Sequence, residues 1–386
     1  MALPVVASKA PEQRRHVTPA LRRTAFQVAL ALTSYSALSC AAAVGGRCAV
    51  GYRSTQLRVR GKRAPVSLWY PARAPREHRG SSREPKPYRH FISVAKIVEV
   101  LQGTELPEAL GWQYQLEAGE AVFPDALPIP AESQETELQQ RRVEQDLPVA
   151  NCAVIFAHGY LGSRFDMLHL CEKLALRGFV CASVDFAEGL SGAVPRQIAR
   201  QEIVQELILR LRSEFAVQHL GIVGHSAGGG TATALPGEFR CGRVAVAGLA
   251  PGYALGDPLL AVASEGDGVV RLPRVLQALP GDVVMQDLGT FDPSSSRRLG
   301  MLLRQPLKAR AAGPPCHISF LSEESNKAMI SLLSPLLPVA QMLDVPVLDF
   351  DAYLKLQDSQ DVAKVLLPVI EEFFSYHASR AEKWAT

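Results

Sequence analysis

From residue 152 onward the chain alternates short, almost uninterrupted apolar runs with amphipathic stretches. The runs cover residues 152–156, 179–184, 220–223, 244–249 and 259–263. Each is too short for a buried helix and fits a strand covered on both faces, as in a parallel sheet. Between them, residues 165–177 and 195–215 read as helices. The second carries Ile198, Ile203, Val204, Leu207, Ile208 and Leu211 on one broad face. Alternation of this kind predicts an α/β architecture, a doubly wound and mostly parallel sheet with helices on both faces. A last helix is expected over 359–377. Ahead of this body, residues 56–60 and 66–70, separated by a turn over 61–65, predict an antiparallel hairpin. Residues from about 75 to 150 are rich in Pro, Glu and Gln and read as an insertion over the sheet edge or cleft.

The run 220–223 leads directly into Gly224-His225-Ser226-Ala227-Gly228-Gly229-Gly230. In G-x-S-x-G the serine sits on a sharp, strained strand-to-helix turn where side chains at the flanking positions would clash, and the turn lifts the hydroxyl into a cleft. Ser226 is thus the candidate nucleophile, and His225 reads as a packing residue inside the motif.

A second signal follows the first parallel strand, where Ala157 leads into His158-Gly159-Tyr160-Leu161-Gly162-Ser163. Acyl transfer builds negative charge on a carbonyl oxygen. Two backbone N–H groups hold that oxygen, one from the residue after the nucleophile and one from this early loop. Ala227 and Tyr160 are the matching donors, and His158 reads as a brace for the loop.

The remaining order should be acid, then histidine. Asp267 follows the predicted strand 259–263, at the sheet edge where open α/β folds build their sites. Asp257, ahead of that strand, and Glu265 are the reserve candidates. Only His317 and His377 lie later, and His377 falls on the last helix, so His317 is the expected base, carried on a short strand and loop over 314–320. An acyltransferase would share every one of these residues, whereas a non-catalytic scaffold would keep the sheet and lose the triad.

Residues 50–380 resemble the α/β-hydrolase superfamily, and within it plasma-type platelet-activating-factor acetylhydrolases and chlorophyllases. The likeness lies in Leu68-Trp69-Tyr70-Pro71, the His158-Gly159 loop, Arg177-Gly178-Phe179 and the GHSAGG elbow; Phe239-Arg240-Cys241-Gly242 is similar to the acetylhydrolases. There are two departures. Those families place the acid where this chain reads Gly248-Leu249-Ala250-Pro251, without a carboxylate, and chlorophyllase elbows carry Arg where Ala227 stands. The resemblance implies an α/β-hydrolase fold and a serine esterase of lipid-like esters, pigment esters being the alternative.

Composition narrows the classes further. The chain has 386 residues, 47% hydrophobic and 20% charged, with a net charge of +3, and offers no basic surface pattern for nucleic acid. Seven cysteines without CxxC spacing give neither a zinc site nor a disulfide framework, so buried thiols, no metal and no cofactor are expected. In the first 76 residues Glu12 is the only acid, and an uncharged stretch spans 24–46. Residues 1–50 therefore read as a targeting segment ahead of a catalytic domain over 51–386. The start resembles a plastid transit peptide, and Arg22-Arg23 before the uncharged stretch a twin-arginine signal; a secretory signal or a membrane anchor is the alternative. The partner expected is a small apolar ester. Residues 329–343, almost uncharged, either line its pocket, touch a membrane surface or enter the core.

Overall fold

The computed structural model describes residues 48–73, 87–93, 95–96, 99, 111–128, 151–251, 256–307, 313–333 and 359–381. Residues 1–47 of the segment expected to carry targeting, and most of 329–343, therefore lie outside the described residues, while 48–50 of that segment belong to the first strand. Among the described residues no helix is long and apolar enough to cross a membrane.

Strands β1 (Cys48–Val59) and β2 (Lys62–Arg73) form an antiparallel hairpin paired from Cys48↔Arg73 to Val59↔Lys62. Its turn is only Arg60-Gly61, both at positive φ (48° and 74°), as a two-residue hairpin turn requires. Most of the turn expected over 61–65 is in fact strand. From the insertion come β3 (Tyr88–Ser93) and β4 (Gly111–Leu116), which pair with each other, and β5 (Val122–Pro124), which extends the main sheet beside β1.

The doubly wound core follows: β6 (Cys152–Ala157), α1 (Leu168–Leu176), β7 (Val180–Val184), α2 (Arg200–Phe215), β8 (His219–His225) and α3 (Ala227–Ala234). After these come β9 (Gly242–Val246), β10 (Leu259–Ser264), α4 (Leu272–Ala278), β11 (Val284–Gln286), β12 (Arg298–Leu303), α5 (Glu323–Leu333) and α6 (Ser359–Ala381). The order across the sheet is β11-β12-β10-β9-β8-β6-β7-β2-β1-β5, parallel from β11 through β7. β12 was not among the expected strands. Its Arg298-Leu299-Gly300-Met301 start breaks the apolar run that marks its neighbours.

Burial on both faces explains why the strands read as continuous apolar runs. Along β6, Cys152, Val154 and Phe156 point into one core with α1 and α6, while Ala153, Ile155 and Ala157 point into a second core with α2. Such period-two division is what a pleated strand imposes. With the hairpin at one flank, parallel strands elsewhere and the Ser226 turn at the carboxyl end of central β8, the chain has the α/β-hydrolase fold.

Candidate active site

Ser226 joins β8 to α3 with φ 56° and ψ −120°, a region a residue with a side chain enters only where its surroundings enforce it. Its N–H donates to the Val246 carbonyl of β9 (2.9 Å), and its carbonyl accepts the Gly229 N–H (2.9 Å). A Cβ on Gly224 would lie 1.9 Å from the Gly228 carbonyl oxygen, and one on Gly228 would lie 1.9 Å from that of Ala157. Both motif glycines are therefore required by backbone-to-backbone approach. The sheet and helix cannot close around Ser226 otherwise. The hydroxyl thus stands at the amino end of α3, where unpaired N–H groups and the helix dipole favour negative charge.

Asp267 follows β10 by three residues and is buried. Its Oδ1 accepts the backbone N–H groups of Val269 (2.9 Å) and Val270 (2.8 Å), and its Oδ2 lies 2.8 Å from Nδ1 of His317. Two backbone donors fix the carboxylate's rotation, so the second oxygen is held on the imidazole. His317 is also buried and sits over the elbow: its carbonyl accepts Nε2–H of His225 (2.9 Å), and the two rings are 4.7 Å apart. That bond fixes the proton of His225 on Nε2, and burial pushes its pKa well below the usual value, so it stays neutral.

The element carrying His317 differs from expectation. Instead of a strand, His317–Phe320 is a 3₁₀ turn. Pro314 and Pro315 lack the N–H that a ladder needs, and Cys316 and Ser319 cap each other reciprocally to start a helical turn. Two residues of the acid turn hold this segment in place. Ser264 donates its hydroxyl to the Pro315 carbonyl (2.5 Å), and a Cβ on Gly266 would lie 2.4 Å from the Pro314 carbonyl oxygen.

Neither reserve acid reaches the site. Asp257 precedes β10, at the opposite edge of the sheet, and pairs with the fully buried Arg243 (2.7 Å). Glu265 is exposed. His377 packs on Phe373 and Tyr376 within α6.

In the early loop, Nε2 of His158 accepts the Phe186 N–H (2.9 Å), so Nδ1 carries the proton and donates to the Gly159 carbonyl (2.7 Å). Burial, reinforced by Arg200, lowers its pKa to about 4. His158 is thus a neutral brace. Arg200 adds a clamp that sequence reasoning missed: Nη1 donates to the His158 carbonyl (2.8 Å) and Nη2 reaches the Gly159 carbonyl (3.5 Å). The guanidinium pairs with Glu188 and lies over the Phe186 ring at 4.2 Å. Tyr160 follows the clamped carbonyls with its side chain exposed, and Leu161 is at φ 56°. Beside the loop, Leu161 packs with Ile92 of β3 and Leu190, and Tyr114 and Met329 lie against them. Behind it, Asp166 accepts the Ser163 N–H (2.9 Å), and burial raises its carboxyl to about 7.

Among the described residues no cluster of His, Cys, Asp or Glu could hold a metal ion. Cys152, Cys171, Cys181, Cys241 and Cys316 are free and buried. Burial raises the thiol pKa of Cys171, Cys181 and Cys316, and for Cys241 a hydrogen bond with Cys152 leads that effect.

The sequence matches no family model and no curated protein. Among solved structures it is similar to a ferulic acid esterase from Streptomyces cinnamoneus, at 21% identity over 59% of this chain and 68% of that one, with a TM-score of 0.35. A putative dienelactone hydrolase from Klebsiella pneumoniae is 12% identical over 74% of this chain and 98% of its own, with a TM-score of 0.34. An α/β serine hydrolase without a lid from Xanthomonas campestris is 16% identical over 52% and 85%, with a TM-score of 0.31. Likeness at this level says nothing of substrate or reaction, and the fold stands on the strand order and the elbow.

Proposed function

We propose that the chain is a serine carboxylic ester hydrolase, with Ser226 as nucleophile, His317 as general base and Asp267 as its orienting acid. The observation that carries this reading is the Asp267–His317 bond at 2.8 Å, tied to the elbow of Ser226 (φ 56°) through the bond of His225 to the His317 carbonyl. Serine oxygen attacks the ester carbonyl carbon while its proton passes to Nε2 of His317, and the backbone N–H groups of Ala227 and Tyr160 receive the oxyanion. Collapse expels the alcohol, which takes that proton. Water, deprotonated by His317, then splits the acyl-enzyme to the carboxylic acid and restores Ser226.

The substrate proposed is an apolar or lipid-like ester; Ile92, Leu161 and Leu190 form a buried aliphatic cluster against the loop that carries Tyr160. The direct test is labelling with a fluorophosphonate. Intact protein should react stoichiometrically and Ser226→Ala should not; folded protein that stays unlabelled would refute the reading. Rates on p-nitrophenyl esters of graded length, short-chain phospholipids and chlorophyll then rank lipid against pigment esters. Recovery of one free acid per alcohol released separates hydrolysis from acyl transfer.

A further inference from the structure

His225 is the last residue of β8, one position before Ser226, and its side chain is buried at 3% exposure. Three segments of the site meet on it. Nε2–H donates to the His317 carbonyl (2.9 Å), and the two rings lie 4.7 Å apart. Nδ1 faces the early loop: a Cβ built on Gly159 would lie 3.3 Å from that nitrogen and 3.1 Å from the Cβ of Ser226. The ring is thus wedged between the turn that carries His317 and the loop that leads to Tyr160, at the end of the strand that presents Ser226.

Packing alone does not account for a histidine here. Nε2 must carry the ring proton to reach a carbonyl, so Nδ1 is left as a bare acceptor, buried and without a hydrogen-bond partner among the described residues. An orphaned buried acceptor is destabilising. Leucine would fill much the same space without that cost, and the one thing it could not supply is the Nε2–H donor. The other bonds of the turn act on neighbouring residues: Ser264 holds the Pro315 carbonyl (2.5 Å), Nδ2 of Asn326 donates to the Ile318 carbonyl (2.8 Å), and Cys316 and Ser319 cap each other. His225 acts on the carbonyl of His317 itself, whose position sets where the imidazole emerges toward Asp267.

We propose that His225 is a positioning residue for acyl transfer, tying the base to the strand that carries the nucleophile through one hydrogen bond to the backbone of His317. This rests on the reading of Ser226 and His317 given above. Burial and the neighbouring His317 keep His225 neutral, so it takes no proton from Ser226 and its Nε2–H bond persists while His317 gains and loses one. A misplacement of about 1 Å in a reacting group costs about 10² in rate. With the other bonds of the turn kept, loss of this tie should lower kcat about tenfold, and KM should hold because the buried ring is not exposed to the ester.

The test compares the full chain with His225→Leu, His225→Asn and His225→Gln, by rate of fluorophosphonate labelling, by kcat and KM on a p-nitrophenyl ester, and by urea midpoint. The amide nitrogen of glutamine reaches as far from the backbone as Nε2 and restores the donor, whereas that of asparagine reaches only as far as Nδ1. His225→Leu and His225→Asn should label and turn over about tenfold more slowly at unchanged KM, and His225→Gln should recover most of the loss. The urea midpoint of His225→Leu should stay near that of the parent, since the variant orphans the His317 carbonyl but removes the orphaned Nδ1. The proposal is overturned if His225→Leu labels as fast as the parent, if His225→Gln is no better than His225→Asn, if the loss falls on KM, or if the rates follow the urea midpoints. Nitrogen-15 histidine spectra of the parent should show His225 protonated on Nε2. A parent with that tautomer that never labels would overturn the reading of Ser226 and this proposal together, whereas a labelled parent with an equally reactive His225→Leu overturns this proposal alone.

Discussion

Asp267→Asn should separate the chemistry of this site from its architecture. Oδ1 of Asp267 already accepts two backbone N–H groups, from Val269 and Val270. The amide introduced must therefore keep its carbonyl oxygen there, which turns its NH₂ toward Nδ1 of His317. A donor at that place requires Nδ1 to accept, so the ring proton moves to Nε2, and the imidazole can no longer take the proton of Ser226. In a serine-protease triad the same wrong-tautomer change costs about 10⁴ in kcat, or about 5 kcal/mol of transition-state stabilisation. Volume and the two backbone bonds are kept, so thermal unfolding should shift little.

Asp257→Asn gives the opposite outcome. It removes the charge paired with Arg243, whose side chain is fully buried and also bonds the carbonyls of Ala232, Leu235 and Gly237. Breaking a buried pair on one side costs about 3 kcal/mol, read as a lowered urea midpoint with kcat near the parent value. Steady-state ester hydrolysis and urea denaturation on both variants make the comparison. Turnover within tenfold of the parent in Asp267→Asn, or an equal loss in Asp257→Asn, would refute the assignment of the acid.

Three further outcomes follow from the same contacts. Gly228→Ala puts a Cβ 1.9 Å from the Ala157 carbonyl oxygen, so an overpacking loss of about 3 kcal/mol is expected, with fluorophosphonate labelling abolished even in the folded fraction. Arg200→Met frees the His158 and Gly159 carbonyls, and displacement of one oxyanion donor should lower kcat about 10²-fold with KM little changed; Arg200→Lys should recover part of it, and a loss confined to KM would argue against a positioning role. Burial lowers His90, His158, His169 and His377 to about 4 from 6.5. The unfolded chain therefore binds protons that the folded one refuses, so stability present above pH 6.5 is lost as pH falls toward 4, up to about 3 kcal/mol per histidine. Asp166, raised to about 7, works in the other direction, its contribution being lost as pH rises through 7. His90→Phe should flatten the acid limb of urea midpoints measured from pH 7 to 5; an unchanged slope would show that His90 is not buried neutral.

The parts of the fold that were legible in the sequence share a local cause. β6 to β10 are buried on both faces, so every residue reports its environment. The G-x-S-x-G glycines are legible because the contacts that forbid their side chains lie within one turn or one neighbouring strand. β12 escaped because Arg298 and Gly300 interrupt its pattern, although Leu299, Met301 and Leu303 are buried. The His317 turn was misread since Ile318 and Phe320 look strand-like, while Pro314 and Pro315 ahead of them and the Cys316–Ser319 cap decide the conformation. Arg200 was invisible for a different reason. Its helix was read from its apolar stripe, and nothing local distinguishes an arginine facing solvent from one that reaches carbonyls forty residues earlier.

The two aspartates around β10 show how a sequence pattern can name a pair of candidates without ranking them. One precedes the strand and one follows it, and a parallel strand gives each end a different neighbourhood. At the amino end, Arg243 of β9 lies directly beside Leu259 in register, so a carboxylate there falls to a buried guanidinium and becomes structure. At the carboxyl end, β8 and β9 deliver the elbow, and the chain beyond β12 returns His317 across the same edge. A carboxylate there faces an imidazole. Direction along one strand therefore sorts the carboxylate that anchors a guanidinium from the one that meets an imidazole. Exchanging the roles would require reversing the strand, which the parallel ladder with β9 and β12 forbids.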